Sequence, residues 1–150
     1  MKWLRGICAL VVATVVVTAG GSGVATAAAD EWPKVVVQNT TIDNHGCEEY
    51  PTLFTRRVAI QMTPAADQDF KITWMTKAGT AKPEADFIPV TNGLVEVKAG
   101  QTVATANVQI RKDMVREQDE TFFVVLTSTS DGKLADSVAT VTIHDVACNG

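Results

Sequence analysis

The sequence predicts an all-β fold, an antiparallel sandwich of about seven strands, and three observations carry this prediction. Beyond residue 32, polar and apolar residues alternate with a period of two over several short segments. Glycine, proline, asparagine and aspartate separate these segments at regular intervals. No segment in this part of the chain has the apolar period of a helix. A chain of 150 residues suits a single domain of this kind.

The first residues are predicted to be a secretory signal peptide and not part of the fold. A short basic start is followed by apolar residues 7–17 and then by small residues, with cleavage expected after Ala27 or Ala29. A membrane anchor is the alternative, but the apolar run breaks at a glycine and is shorter than the roughly 20 residues that a span needs. We therefore divide the chain into a signal peptide, 1–29, and a folded domain, 30–150.

Loss of the signal peptide makes the chain more acidic. Without Lys2 and Arg5, basic residues fall from 13 to 11 while all 17 acidic residues remain, so the net charge moves from −4 to −6. This charge disfavours nucleic acid or an anionic lipid surface as a partner. It permits a cation. We expect a secreted or cell-surface protein with no membrane span after cleavage.

The strands follow one another in a regular order after Pro33. They are predicted over residues 35–42, 57–62, 69–74, 94–97, 102–110, 121–128 and 137–143. The connections over 43–53 and 79–92 are long, and 111–120 is a charged loop. Period-two alternation predicts inward faces made by Phe70, Ile72 and Trp74, by Ala104, Ala106, Val108 and Ile110, and by Ala139, Val141 and Ile143.

Several short motifs go beyond a generic β pattern. In chain order they are Gly79-Thr80-Ala81, Asp86-Phe87, Gly100-Gln101, Glu117-x-x-Glu120-x-Phe122 and Thr142-Ile143-x-Asp145. Together, in this order and spacing, they resemble the Calx-beta domain family over nearly the whole mature chain. The resemblance implies an immunoglobulin-like sandwich and a binding or adhesion module for a protein or surface partner that the sequence does not identify. It also implies a calcium site built by loops at one end of the domain.

The candidate calcium ligands are carried over from the motifs of the family. They are Asp43, Asp86, Asp113, Glu117, Glu120 and Asp145. Calcium takes six to eight oxygen ligands, several of them carboxylates.

Two departures from the family pattern reduce the expected site to one ion or none. Lys112 precedes Asp113 where acidic residues are frequent in the family, and Asp145 is followed by Val146 and Ala147 in place of an acidic run. The Lys112 ammonium could replace the cation, and the acids could also form an ordinary solvated loop face.

Two cysteines remain in the mature chain, Cys47 and Cys148. Outside the cytoplasm such a pair is expected to form a disulfide. In the implied fold both cysteines lie at the acidic end, where a bridge would hold the first loop to the carboxyl terminus. The alternative function is therefore an ion-free, disulfide-clamped structural sandwich. A zinc site that adds His45 and His144 to the cysteines is the less favoured interpretation.

Catalysis is not expected. The sequence has no Gly-x-Ser-x-Gly, His-Glu-x-x-His or phosphate-binding glycine motif, and it offers no nucleophile paired with a base.

Overall fold

A computed structural model of the chain describes residues 32–45, 52–112 and 117–146. These residues form ten β-strands: β1 (Lys34–Val37), β2 (Thr40–His45), β3 (Thr52–Thr63), β4 (Phe70–Ala78), β5 (Phe87–Ile88), β6 (Gly93–Val97), β7 (Val103–Lys112), β8 (Glu120–Thr129), β9 (Lys133–Asp136) and β10 (Val138–Val146). One five-stranded sheet has the order β5-β7-β3-β1-β9, and the other has the order β2-β10-β8-β4-β6. Within these ranges no helix is long and apolar enough to cross a membrane.

The two sheets enclose one hydrophobic core, as the alternation of the sequence predicts. All the inward residues predicted for β4, β7 and β10 are buried. From β3 the core receives Val58, Ile60 and Met62, which alternate with exposed or half-buried neighbours. Burial of this apolar face is the main source of stability for such a sandwich. The all-β sandwich is therefore confirmed.

The first predicted strand, 35–42, is divided between the two sheets. β1 pairs antiparallel with β3, whereas β2 pairs in parallel with β10. Asn39 lies at the change of sheet, and its Oδ1 accepts a hydrogen bond from the Thr140 amide over 2.7 Å. β1 also pairs in parallel with β9, so the sandwich has two parallel pairings among its antiparallel ones.

The number of strands also differs from the prediction. β5 and β9 are additional strands of two and four residues, which is too short for a period-two pattern to be recognised. β2 and β3 extend into the loop predicted over 43–53.

The register of β4, β8 and β10 determines which loops meet at one end of the sandwich. Ala78, the last residue of β4, pairs with Phe122. Glu120, the first residue of β8, pairs with Ile143 of β10. The segment after β4 and the segment before β8 therefore emerge side by side. We call this end of the molecule the loop end.

Candidate functional site

Asp86 is held at the loop end by a tight turn between β4 and β5. Its Oδ2 accepts a hydrogen bond from the Lys82 amide over 2.6 Å, and its own amide donates to the Lys82 carbonyl over 3.0 Å. Its carbonyl accepts from the Arg111 amide of β7 over 2.8 Å. Glu84 closes the turn with a φ of 66°, a left-handed conformation that non-glycine residues adopt rarely. The Asp86 carboxylate is therefore fixed by backbone on both sides.

An aromatic pair joins this turn to β8. Phe87, the neighbour of Asp86, stacks on Phe122 with ring centroids 4.3 Å apart and an interplanar angle of 12°. Both rings are buried. Because Phe122 lies two residues beyond Glu120, the stacked rings bring the two carboxyl-bearing segments together from within the core.

The Gly79-Thr80-Ala81 motif also holds the start of β8, through hydrogen bonds to Thr121. The Ala81 amide donates to the Thr121 carbonyl over 2.9 Å, and the Thr121 amide donates to Thr80 Oγ1 over 2.8 Å. A Cβ atom at Gly79 would collide with the Thr121 carbonyl oxygen, so this position needs glycine. These contacts hold Thr121 against the motif and so fix the position of its neighbour Glu120.

Three carboxylates converge as a result. Asp86, Glu117 and Glu120 each place an oxygen so that all three atoms lie within 4.8 Å of one another. Burial raises the pKa of Glu120 to about 7, assisted by a hydrogen bond to Asp86 and by the negative charges of Asp86 and Glu117. Lys82 lowers the pKa of Glu120 but does not cancel these effects. We call these three residues the carboxylate cluster.

The cluster contains the oxygen donors that a hard divalent cation prefers. Burial and the neighbouring carboxylates Asp86 and Glu117 disfavour the ionised form of Glu120, as its raised pKa shows. The group can relieve the repulsion in two ways, by taking up a proton on Glu120 or by binding a cation. The residues present therefore fit a calcium ion.

Of the other three predicted ligands, Asp43 alone has a described side chain. Asp43 lies exposed on the edge strand β2, beside His144 in the parallel register. For Asp145 the structure describes the backbone, which pairs with Asn44 of β2. Asp113 lies outside the described residues. The sequence expected Asp43 in a loop, whereas it belongs to a strand on the far side of β10.

A residue that the sequence analysis missed is Lys82. The sequence offered Lys112 as one possible replacement for the cation. The structure adds Lys82, in the turn that holds Asp86, as a side chain that lowers the pKa of Glu120. Lys112 is half-buried at the end of β7 and has an interaction of its own. The position of Lys82 four residues before Asp86 was the available signal, because a short turn brings such residues together.

The disulfide and the zinc alternative remain predictions. Cys47 and Cys148 lie outside the described residues, as does the signal peptide. His144 is described, and its Nδ1 lies 2.6 Å from Oδ1 of Asp119 at the exposed surface. Asp119 is next to Glu120 in the chain. Its pair with His144 is a different interaction, which joins β10 to the loop before β8.

Comparison with known proteins identifies the fold family. The Calx-beta domain family matches residues 30–147, which is most of the chain. The chain belongs to the Calx-beta domain family. The resemblance seen in the sequence is thus confirmed, and the carboxylate cluster lies where three of the motifs of this Calx-beta domain meet.

Individual relatives agree with this assignment. The adhesion G-protein coupled receptor V1 of Danio rerio is 40% identical over 57 residues, which cover 38% of this chain and 1% of that protein. The chain therefore spans a very small part of this curated relative.

Two solved structures share the fold. The apo form of the Calx CBD1 domain is 24% identical, with a TM-score of 0.61, and the match covers 78% of this chain and 100% of that one. The calcium binding domain CBD12 of CALX1.1 is 22% identical, with a TM-score of 0.59, and the match covers 75% of this chain and 45% of that one.

Proposed function

We propose that this Calx-beta domain is an exported binding module in which Asp86, Glu117 and Glu120 hold one calcium ion. The observation that carries the proposal is the convergence of three carboxylate oxygens within 4.8 Å. Such a group is costly in the absence of a cation, because like charges at this distance repel one another. Calcium binding would neutralise the repulsion and join the turn after β4 to the segment before β8.

The similar solved structures support the fold only, because their identities are low. One of them is described as a calcium binding domain, which agrees with the proposal without establishing it. The proposal for this chain rests on its own residues. A single ion is the expected number, since one cluster of three carboxylates is present in the described part of the chain.

Export and a binding role are the second part of the proposal. The amino-terminal sequence has the order of a secretory signal peptide. One relative is an adhesion receptor, and Calx-beta domains are binding or regulatory modules rather than enzymes. We propose that the module acts in adhesion at the cell surface or after secretion, with a protein or surface as its partner.

Calorimetric titration with calcium tests the metal site. The wild-type protein is expected to bind one ion, and calcium at ~100 times its Kd should stabilise the fold by about 2.7 kcal/mol. Glu120→Gln should abolish calcium binding while the protein stays folded. Glu96→Gln is the matched control, because Glu96 lies on β6 beside Lys71 at the opposite end of β4 and should leave binding unchanged.

The alternative is an ion-free sandwich. If millimolar calcium gives no heat and no shift in melting temperature, the cluster is occupied by a shared proton and the calcium proposal is wrong. Magnesium is a useful comparison, because its demand for octahedral geometry and its tightly held waters should make it a weaker ligand here.

A further inference from the structure

An asparagine followed by a glycine stands immediately before β6, apart from the carboxylate cluster. Asn92 is exposed in a bend, and Gly93 is the first residue of β6. The side-chain amide of an asparagine has a carbonyl carbon that the next backbone nitrogen can attack. Glycine hinders this attack least among the residues that can follow asparagine, because it has no Cβ.

The packing of Trp74 requires a glycine at position 93. Gly93 pairs with Trp74 in the β4–β6 register, and Trp74 is buried in the core. A Cβ atom at Gly93 would lie 2.3 Å from Cε2 and 2.4 Å from Nε1 of the indole, closer than real Cβ atoms approach a neighbour. The core therefore keeps the least hindered residue next to Asn92.

The backbone before Asn92 is anchored at Val90. The Val90 amide donates to Thr76 Oγ1 over 2.8 Å, and the Val90 carbonyl accepts from the Thr76 amide over 2.8 Å. Val90 also packs against the core. Between this anchor and β6, both Thr91 and Asn92 are exposed. Asn92 thus faces water between two fixed points of the backbone.

The attacking nitrogen, that of Gly93, belongs to an edge strand. β6 pairs with β4 alone among the described strands, and the pair of Gly93 with Trp74 is the terminal pair of that ladder. Terminal pairs open at a low cost in free energy, whereas the centre of a sheet opens rarely. The Gly93 nitrogen therefore becomes available in a protein that is otherwise folded.

The other described asparagines differ in these respects. Asn39 is held at its Oδ1 by the Thr140 amide and precedes a threonine. Asn107 lies in the middle of β7, where it pairs with Arg57, and it precedes a valine. Asn44 lies within β2 and precedes a histidine. In each case the following residue has a Cβ that hinders attack on the asparagine.

We propose that Asn92 is a site of spontaneous modification, at which water converts the asparagine to aspartate and isoaspartate. The Gly93 nitrogen loses its proton and bonds to Cγ of Asn92, while the side-chain nitrogen leaves as ammonia. The product is a cyclic succinimide. Water opens this ring at Cγ to give aspartate, or at the main-chain carbonyl carbon to give isoaspartate. No oxidant or reductant takes part.

The conversion changes the molecule at the start of β6. Each product adds a negative charge to a chain that is already acidic. Isoaspartate also adds a carbon to the backbone directly before Gly93, so the contacts of Val90 with Thr76 and of Gly93 with Trp74 are strained together. The isoaspartyl form is expected to melt about 4 °C lower than the unmodified protein, or more.

Incubation of the purified protein at pH 6, 7.5 and 9, followed by mass spectrometry of tryptic peptides, tests the proposal. Conversion at Asn92 should be at least about tenfold faster than at the other described asparagines. It should accelerate with pH, because the attacking nitrogen must lose its proton. Labelling by an isoaspartyl methyltransferase should detect isoaspartate. The asparagines fall in separate peptides: Asn92 in 78–98, Asn107 in 99–111, Asn39 and Asn44 in 35–56, and Asn149, which lies outside the described residues, in 134–150.

Two variants separate the reaction from its consequences. Asn92→Ser removes the reactive amide and should leave the mass of peptide 78–98 unchanged during incubation. Freshly prepared Asn92→Asp carries the charge of one product without the longer backbone, and it should keep the melting temperature of the wild type. The isoaspartyl form, isolated by chromatography, should melt below both.

Three results would contradict the proposed site. They are an unchanged mass of peptide 78–98 in the wild type, conversion of Asn39 or Asn107 as fast as that of Asn92, and formation of aspartate without isoaspartate, since direct hydrolysis bypasses the ring. An isoaspartyl form that melts at the wild-type temperature would show that the predicted effect on β6 is wrong.

Discussion

Glu120 is a residue whose ionised form the fold disfavours. Its usual pKa of 4.5 rises to about 7 because it is partly buried, hydrogen-bonded to Asp86 and close to the charge of Glu117. A protonated Glu120 can donate that hydrogen bond, whereas an ionised Glu120 adds a third negative charge to the cluster. The same carboxyl group is therefore a proton site near neutral pH and a proposed calcium ligand.

The raised pKa of Glu120 predicts how stability depends on pH without calcium. Because the folded state holds this proton more tightly than the unfolded state, Glu120 destabilises the fold progressively as pH rises from 4.5 to about 7. Glu120→Gln, which is neutral at every pH, should be more stable than wild type at pH 8 by about 1–2 kcal/mol, reduced by partial exposure. Near pH 4.5 the difference should disappear. Urea unfolding in chelator across this range measures it.

The control for this prediction is Glu96→Gln, whose stability relative to wild type should not follow the same curve. A Glu120→Gln protein that is less stable than wild type at pH 8 would contradict the expected repulsion. With saturating calcium the order should reverse, because only the wild type gains binding energy.

The turn after β4 and the start of β8 act together as structural elements. The Phe87–Phe122 stack, the hydrogen bonds of Thr121 and the close approach of Gly79 join the two segments without any contribution from the carboxylates. The acidic residues are thus placed by neutral packing. The repulsion within the cluster is tolerated because buried aromatic surface offsets it.

Removal of the stacked ring should therefore affect both stability and calcium binding. Phe87→Ala is expected to lower the free energy of unfolding by about 3–5 kcal/mol, as for other buried phenylalanines. It should also weaken calcium binding, because Asp86 loses the support of its neighbour. Phe70→Ala is the matched variant, since Phe70 is buried at the other end of β4.

Equilibrium unfolding and calcium titration of both variants provide the measurement. Phe70→Ala should lose comparable stability with unchanged calcium affinity in its folded fraction. Equal calcium affinities in the two variants would show that the stack does not position Asp86.

Alternation in the sequence was sufficient to predict the long strands and their buried faces. It failed for β5 and β9, which have too few residues to show a period, and for the parallel pairings, which depend on contacts distant in sequence. The motifs predicted that Asp86, Glu117 and Glu120 share an end of the domain. The placement of Asp43 could not be predicted in this way, because it depends on β2 leaving the first sheet.

At the scale of the whole molecule, the two ends of the sandwich differ in how their charges are balanced. Opposite the loop end, Asp69 pairs with Lys98 over 2.8 Å and accepts the Ala99 amide over 2.9 Å. The Lys98 hydrogen bond and the Ala99 amide lower the pKa of Asp69. Asp131, which is buried, accepts hydrogen bonds from Gln68 and from the Gly132 amide. Asp69 and Asp131 thus each have their own donors.

This asymmetry predicts a one-sided response to calcium. Amide hydrogen exchange should slow on calcium addition in residues 79–88 and 117–122, which carry the carboxylate cluster. Residues 66–71, 98–101 and 129–133 should exchange at unchanged rates, because Asp69 and Asp131 are already satisfied by neighbouring donors. Uniform slowing across the domain would mean that calcium raises global stability alone, and slowing at the opposite end would place the ion there. With the same calcium addition, exchange in Glu120→Gln should slow at neither end. The proposed binding site is removed, while the paired charges at the other end remain.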